Sequence, residues 1–368
     1  MTKHGAKEHR GGLNLPQLQS YANVTLSTNF SIINIMTHLR IGFIGSGRMA
    51  HVHAEQLRHE SDVQIVAAAD HGSGRSHDFH THWGATAFSD YRQMLDTVEM
   101  DAVYICTPTT THAEIGLDCV ERGLNLFIEK PLDLNLKLAQ QLVAESERRG
   151  LVTCTCFQWR HSPAFRRAQQ LVGDEPVALI NLRWYWTRPP IRWMWNQEQA
   201  GGQIVDQNIH LIDGSQAFAG EIERVYAAYN RRQVNFEPEF NNWDGYALTF
   251  HYKSGAVGNC AGTYGLFPEI QKGPAIDICL RDRLIRITDK ELILYTPTGV
   301  QSWANREPLH RGVNQAFVAA LRASDPTLIS TPLRLGLRST AITLAANHSA
   351  QSGNAVDVDQ FLQQCVNV

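Results

Sequence analysis

Three side chains, one of them far from the other two in the chain, are of the types that move a proton and hold a developing oxyanion: Lys130, Asp206 and His210. An imidazole titrates near neutral pH and so serves as a general acid or base. An ammonium group hydrogen-bonds an alcohol oxygen and stabilises the alkoxide that forms on it. Asp206 and His210 are four residues apart, which on a helix puts them on one face, one turn from each other. There the carboxylate would orient the ring or hold a neighbouring hydroxyl. Taken alone, the same spacing also describes a plain surface pair. The elements that carry these residues must decide between the two.

Lys130 lies in Glu129-Lys130-Pro131, directly after an apolar run at 124–128 that reads as a buried strand. Proline disfavours helical geometry in the residue before it, so the lysine is expected to project from the strand end. The preceding chain alternates strands with helices from residue 39 to about 158, the pattern of a doubly wound parallel sheet. Its first strand runs into Gly45-Ser46-Gly47-Arg48-Met49-Ala50. Here Gly45 permits a tight turn, Gly47 lets backbone approach a pyrophosphate, and Ala50 lets the helix sit close to the strand. Asp70 follows the second strand, 20 residues after Ala50, where an acid hydrogen-bonds the ribose hydroxyls of NAD and repels a 2′-phosphate. Arg75 lies nearby and leaves NADP open. Thr107 and Pro108 end the next strand, at the edge where ligands bind in open α/β sheets, and a helix begins at His112.

Composition removes other classes. A formal charge of −3 gives no reason to expect nucleic acid or an anionic membrane as partner, and no apolar run reaches membrane-spanning length. The seven cysteines contain no Cys-x-x-Cys pair, which favours reduced core thiols in a cytoplasmic protein. His71, His77, His80, His82 and Asp78 match no zinc spacing and read as a solvated loop and helix face, so no metal is expected. No tyrosine stands four residues before a lysine, which removes the short-chain dehydrogenase pair. Residues 1–38 lack periodicity and a signal-type apolar core and read as a mobile tail, with Met36 a possible start.

The glycine turn, the Glu129-Lys130-Pro131 triplet and the segment Gly201-Gly202-Gln203-Ile204-Val205-Asp206-Gln207-Asn208-Ile209-His210-Leu211-Ile212-Asp213 together resemble the glucose–fructose oxidoreductase/inositol dehydrogenase (Gfo/Idh/MocA) family over roughly residues 39–362. The resemblance implies a Rossmann domain at 39–158 and, at 159–368, a substrate-binding α+β domain built on an open, mainly antiparallel sheet. It implies NAD or NADP on the first domain, a sugar or cyclitol in the cleft, and homodimers or homotetramers formed through the second sheet. Asn208 departs from the pattern, since many members carry glycine there, and the departure is expected either to alter the helix geometry or to add a polar group near the substrate.

The second half reads accordingly. Trp184, Tyr185, Trp186, Arg188, Arg192, Trp193 and Trp195 cluster after a strand at 177–186, with half of the eight tryptophans inside twelve residues. Aromatic faces and guanidinium forks suit a polyol, and packing accounts for part of the cluster. A helix is expected at 201–219 and strands dominate from 223 onward. Expected cofactor contacts are Gly45, Ser46, Gly47, Arg48, Met49, Asp70, Thr107, Pro108, His112, Glu129, Lys130 and Gln158. Expected substrate contacts are Lys130, Arg160, Arg188, Trp193, Asp206, Asn208 and His210. The chemistry expected is hydride transfer between a secondary alcohol of a sugar, glycoside or inositol and the nicotinamide. A redox-neutral, NAD-dependent glycosidase and a non-enzymatic NAD-binding regulator on the same fold are the alternatives.

Overall fold

The structure is a computed structural model that describes residues 38–231 and 234–367; the expected tail therefore lies, His38 apart, outside the described residues. The first sheet has six parallel strands: β1 (Leu39–Ile44), β2 (Val63–Ala69), β3 (Thr86–Phe88), β4 (Ala102–Ile105), β5 (Asn125–Ile128) and β6 (Thr153–Thr155). Their order, β3-β2-β1-β4-β5-β6, is that of a Rossmann sheet. The topology reverses between β1 and β4, so the strand ends there open a crevice. These strands are apolar on both faces because helices cover both.

The second sheet has nine strands: β7 (Leu179–Tyr185), β8 (Ile222–Asn230), β9 (Gly245–Tyr252), β10 (Val257–Thr263), β11 (Lys272–Cys279), β12 (Leu284–Thr288), β13 (Glu291–Thr296), β14 (Gly299–Ala304) and β15 (Val356–Asp357). Their order is β14-β13-β12-β11-β7-β10-β9-β8-β15. Pairing is antiparallel except between β7 and β10. Alternation is clean in β9, where Tyr246, Leu248, Phe250 and Tyr252 are buried and the residues between them face outward. This is the one-sided pattern of an antiparallel sheet with a single packed face.

Two late helices tie the sheets together. Leu333–Ser352 packs against both β6 and β8, and its Ser349 hydroxyl accepts the Ala227 N–H. Arg311–Ala323, placed by sequence in the second domain, returns to the first sheet, where Phe317 meets Tyr104 and Phe127 edge-on at 5.6 and 5.5 Å. The helix expected at 201–219 has two parts. Ile204–Asn208 is a π-turn, and Ile209–Ala219 is α-helical. β14 was not anticipated, because it is an almost fully exposed strand and so carries no apolar alternation.

Candidate active site

The glycine turn is tight at its first glycine and open at its second. Gly45 has φ +90°, and a Cβ there would stand 2.6 Å from the Cys106 carbonyl group, so only glycine lets β1 end this close to β4. Around Gly47 a Cβ would meet nothing within 4 Å. Gly47 caps the helix Arg48–Leu57, whose first turn carries no side-chain cap. The result is an open cradle with free N–H groups, suited to a pyrophosphate. Ser46, Arg48 and Met49 line the same cleft, as do Asp70, Thr107, Pro108, His112, Glu129 and Gln158. The Asp70 carboxylate accepts the Ser73 hydroxyl and the Arg75 N–H, which fixes it at the end of β2. His112 places its ring nitrogens 2.8 Å from the carbonyls of Thr107 and Pro131, so it ties the β4 and β5 ends together.

Lys130 leaves β5 and crosses to the second half of the chain. Its Nζ donates to the Asp206 carbonyl at 2.5 Å and to Asp206 Oδ1 at 3.0 Å. Burial alone would depress its pKa, but the charges of Asp206 and Glu129 outweigh it and the pKa is raised. The ammonium form is therefore held across neutral pH. Glu129 sits beneath it. Its carboxylate accepts from His53 Nε2 at 2.8 Å and from the Lys130 N–H at 3.2 Å. Burial pushes Glu129 up, but the His53 hydrogen bond and the His53 and Lys130 charges hold it below the ordinary carboxylate range.

His210 stands opposite. It is buried, it lines the cleft, and its Nδ1 has no hydrogen-bond partner among the described residues. Burial first, then the Lys130 charge, drives its pKa well below that of an ordinary histidine. The ring is accordingly neutral at physiological pH and free to take a proton. Asp206 does not orient it. That carboxylate instead joins Lys130 to the Tyr264 hydroxyl, 3.4 Å away.

Three expected substrate contacts do not line the cleft. Arg160 grips Asp213, with Nε 2.7 Å from Oδ2 and Nη2 3.0 Å from Oδ1. Arg188 pairs with Glu237 and lies over the Trp195 ring, its guanidinium carbon 4.4 Å from the centroid. Asn208 is fully buried and hydrogen-bonds the Tyr246 hydroxyl, so the departure from glycine is met by the second sheet. The physical reason is the same each time: a partner remote in sequence engages the side chain, although Asn208 Oδ1 is left without a hydrogen-bond partner among the described residues. For Arg160 this gives a stability prediction. Asp213 is fully buried, so Arg160→Ala leaves it uncompensated and is expected to cost about 3–5 kcal/mol in urea unfolding, with cofactor affinity unchanged.

Sequence reasoning missed Tyr264 and His310. Tyr264 follows β10 directly and does not line the cleft, but its hydroxyl reaches Asp206 Oδ2. His310 lines the cleft from the start of the helix Arg311–Ala323, and burial, then His53, pushes its pKa down to about 4. Nothing local marks it, because it arrives through the return of that helix to the first sheet.

A Rossmann crevice of about 1540 Å³ thus faces an ammonium, a carboxylate and a neutral imidazole, and crevices of this kind bind dinucleotides. Comparison with known proteins gives the particular family. Residues 39–157 match the model described as "Oxidoreductase family, NAD-binding Rossmann fold", and residues 165–272 match the "GFO/IDH/MocA C-terminal domain". The chain belongs to the GFO/IDH/MocA family. It is 26% identical to a myo-inositol 2-dehydrogenase of Thermotoga maritima, over 69% of this chain and 79% of that protein. It is 27% identical to a scyllo-inositol 2-dehydrogenase (NAD(+)) of Bacillus subtilis, over 60% of this chain and 66% of that protein. In fold it matches a levoglucosan dehydrogenase solved with NADH, with a TM-score of 0.77 at 18% identity, covering 87% of this chain and 99% of that one.

Among the described residues, no helix is long and apolar enough to cross a membrane.

Proposed function

We propose that this protein oxidises a secondary alcohol of a sugar, glycoside or inositol, or reduces the corresponding ketone. The observation that carries this reading is the Lys130–Asp206 ion pair (Nζ–Oδ1 3.0 Å) set in one cleft with the buried, unpartnered His210 ring. A bound nicotinamide would supply the acceptor for the hydride of the carbinol carbon. Gly45, Ser46, Gly47 and Arg48 would hold its pyrophosphate and Asp70 the adenosine ribose. Lys130 hydrogen-bonds the reacting oxygen and stabilises the negative charge that grows on it. His210 takes the hydroxyl proton in oxidation and returns it in reduction. Asp206 keeps the lysine charged and aimed. The exposed Tyr226 and Val257 on the outer face of the second sheet support pairing of copies through that face.

The experiment is a panel of inositols, aldoses and glycosides assayed separately with NAD and NADP by nicotinamide absorbance. The expected result is stoichiometric NADH formation, with NAD preferred because the Asp70 carboxylate repels a 2′-phosphate. Glycoside cleavage at constant absorbance would replace this reading with redox-neutral hydrolysis. A marked preference for NADP would overturn the role given to Asp70.

A further inference from the structure

The part of the cleft lining that comes from residues 184–194 is apolar. Trp184 and Trp186 come from the end of β7, and the strap that follows adds Ile191, Trp193 and Met194 beside the pair Pro189-Pro190. The strap is fastened by charged pairs, one of them made by Arg188, an expected substrate contact. Arg188 and Arg192 lie over the Trp195 ring, at 4.4 and 4.2 Å, and pair with Glu237 and Glu239. Trp195 Nε1 donates to the Pro189 carbonyl at 2.7 Å. Beyond it, the short helix Gln197–Ala200 packs on Thr109–Thr111 at the end of β4. The cationic groups thus form the scaffold, and the aromatic and aliphatic groups form the ligand face.

Two consequences bear on the ligand. Among the described residues, no lysine or arginine of the second half of the chain lines this wall, and the acid that does is Asp206. A phosphate or carboxylate on the substrate would find no counter-ion there. A bare cyclitol, polar around its rim, would leave the tryptophan surface uncovered. Flat apolar walls with a few convergent polar groups are how proteins bind ligands that are themselves part apolar.

We propose that the strap is an aglycone subsite: the substrate is an uncharged glycoside whose aryl or alkyl substituent lies against Trp193, Met194 and Ile191 while a ring hydroxyl meets Lys130 and His210. This rests on the polyol-oxidising reading of the same cleft and names the substrate class within it.

The test uses matched sets of gluco-, galacto-, manno- and xylopyranose, each as the free sugar, as both methyl glycosides and as both phenyl glycosides, with myo-inositol and glucose 6-phosphate alongside. Turnover is followed by nicotinamide absorbance, and binding by tryptophan fluorescence of the NADH-bound protein. The expected result is a kcat/KM for the accepted phenyl glycoside about tenfold or more above its methyl and free counterparts, the scale of apolar discrimination in pockets. Trp193→Ala and Met194→Ala are expected to shrink the phenyl-to-methyl ratio towards one, with cofactor binding as the check on folding. Equal turnover of phenyl, methyl and free forms, or a preference for the phosphate, overturns the aglycone subsite and leaves polyol oxidation standing. Tighter binding of phenyl glycosides without nicotinamide reduction by any sugar overturns the oxidation and leaves the subsite. No phenyl advantage in either readout overturns the subsite.

Discussion

His210→Ala is expected to lower kcat by about 10²–10⁴-fold, the range for loss of a positioned acid–base group, while NADH binding is retained. The pyrophosphate and ribose contacts proposed for the cofactor fall on the glycine turn and Asp70 and not on His210, so cofactor affinity is expected to hold. The pH profile carries the sharper signature. Burial and the neighbouring Lys130 charge depress the pKa of His210 well below its ordinary value. The neutral ring is the proton acceptor, so acid switches oxidation off only when pH falls through that depressed value. The acidic limb of kcat/KM is therefore expected below the range near pH ~6.5 where a free histidine titrates, and to vanish in the variant. Wild-type turnover in His210→Ala would remove the residue from the mechanism.

Lys130→Met should be more damaging, because it acts on rate and on fold together. Loss of a donor aimed at a developing oxyanion costs about 10²–10³ in kcat. It also leaves the buried Asp206 with the Tyr264 hydroxyl at 3.4 Å as its remaining hydrogen-bonding side chain, and breaking such a pair costs about 3–5 kcal/mol of stability. The double variant Lys130→Met/Asp206→Asn separates the effects. It removes the unpaired charge, so its urea midpoint is expected to recover towards wild type while turnover stays lost. Recovery of turnover along with stability would show that the lysine serves the fold alone.

The first sheet was legible because its signals are local. Each strand is an apolar run covered on both faces, and the glycine turn and Asp70 fall at fixed distances from strand ends. Type and spacing left Asp206 and His210 open to a plain surface pair, and it was the family resemblance that singled them out with Lys130; the structure brings all three to one cleft. What failed was the assignment of partners. Arg160 and Arg188 have the chemistry of substrate ligands, but Asp213 and Glu237 lie 53 and 49 positions further along the chain, and no spacing rule links them. Asn208 read as a polar group near the substrate because nothing in its neighbourhood announces Tyr246. His310 stayed hidden for a similar reason, since its place depends on a helix that crosses back to the first sheet. Periodicity reports which face a residue takes, whereas the competition between ligand and protein for a charged side chain is settled by tertiary contacts.

The π-turn Ile204–Asn208 has a consequence for how this segment is built. In an uninterrupted α-helix every interior carbonyl is claimed by the amide four residues on. A widened turn carries one residue too many for that bookkeeping and frees a main-chain oxygen. Here the Asp206 carbonyl receives the Lys130 ammonium at 2.5 Å. Asp206 thus grips the lysine twice, once through its side chain and once through its backbone. Amino-acid replacement at 206 can erase the first grip but not the second, which belongs to the path of the main chain. Anchoring of the lysine is in this sense written partly into the insertion of a residue rather than into its identity.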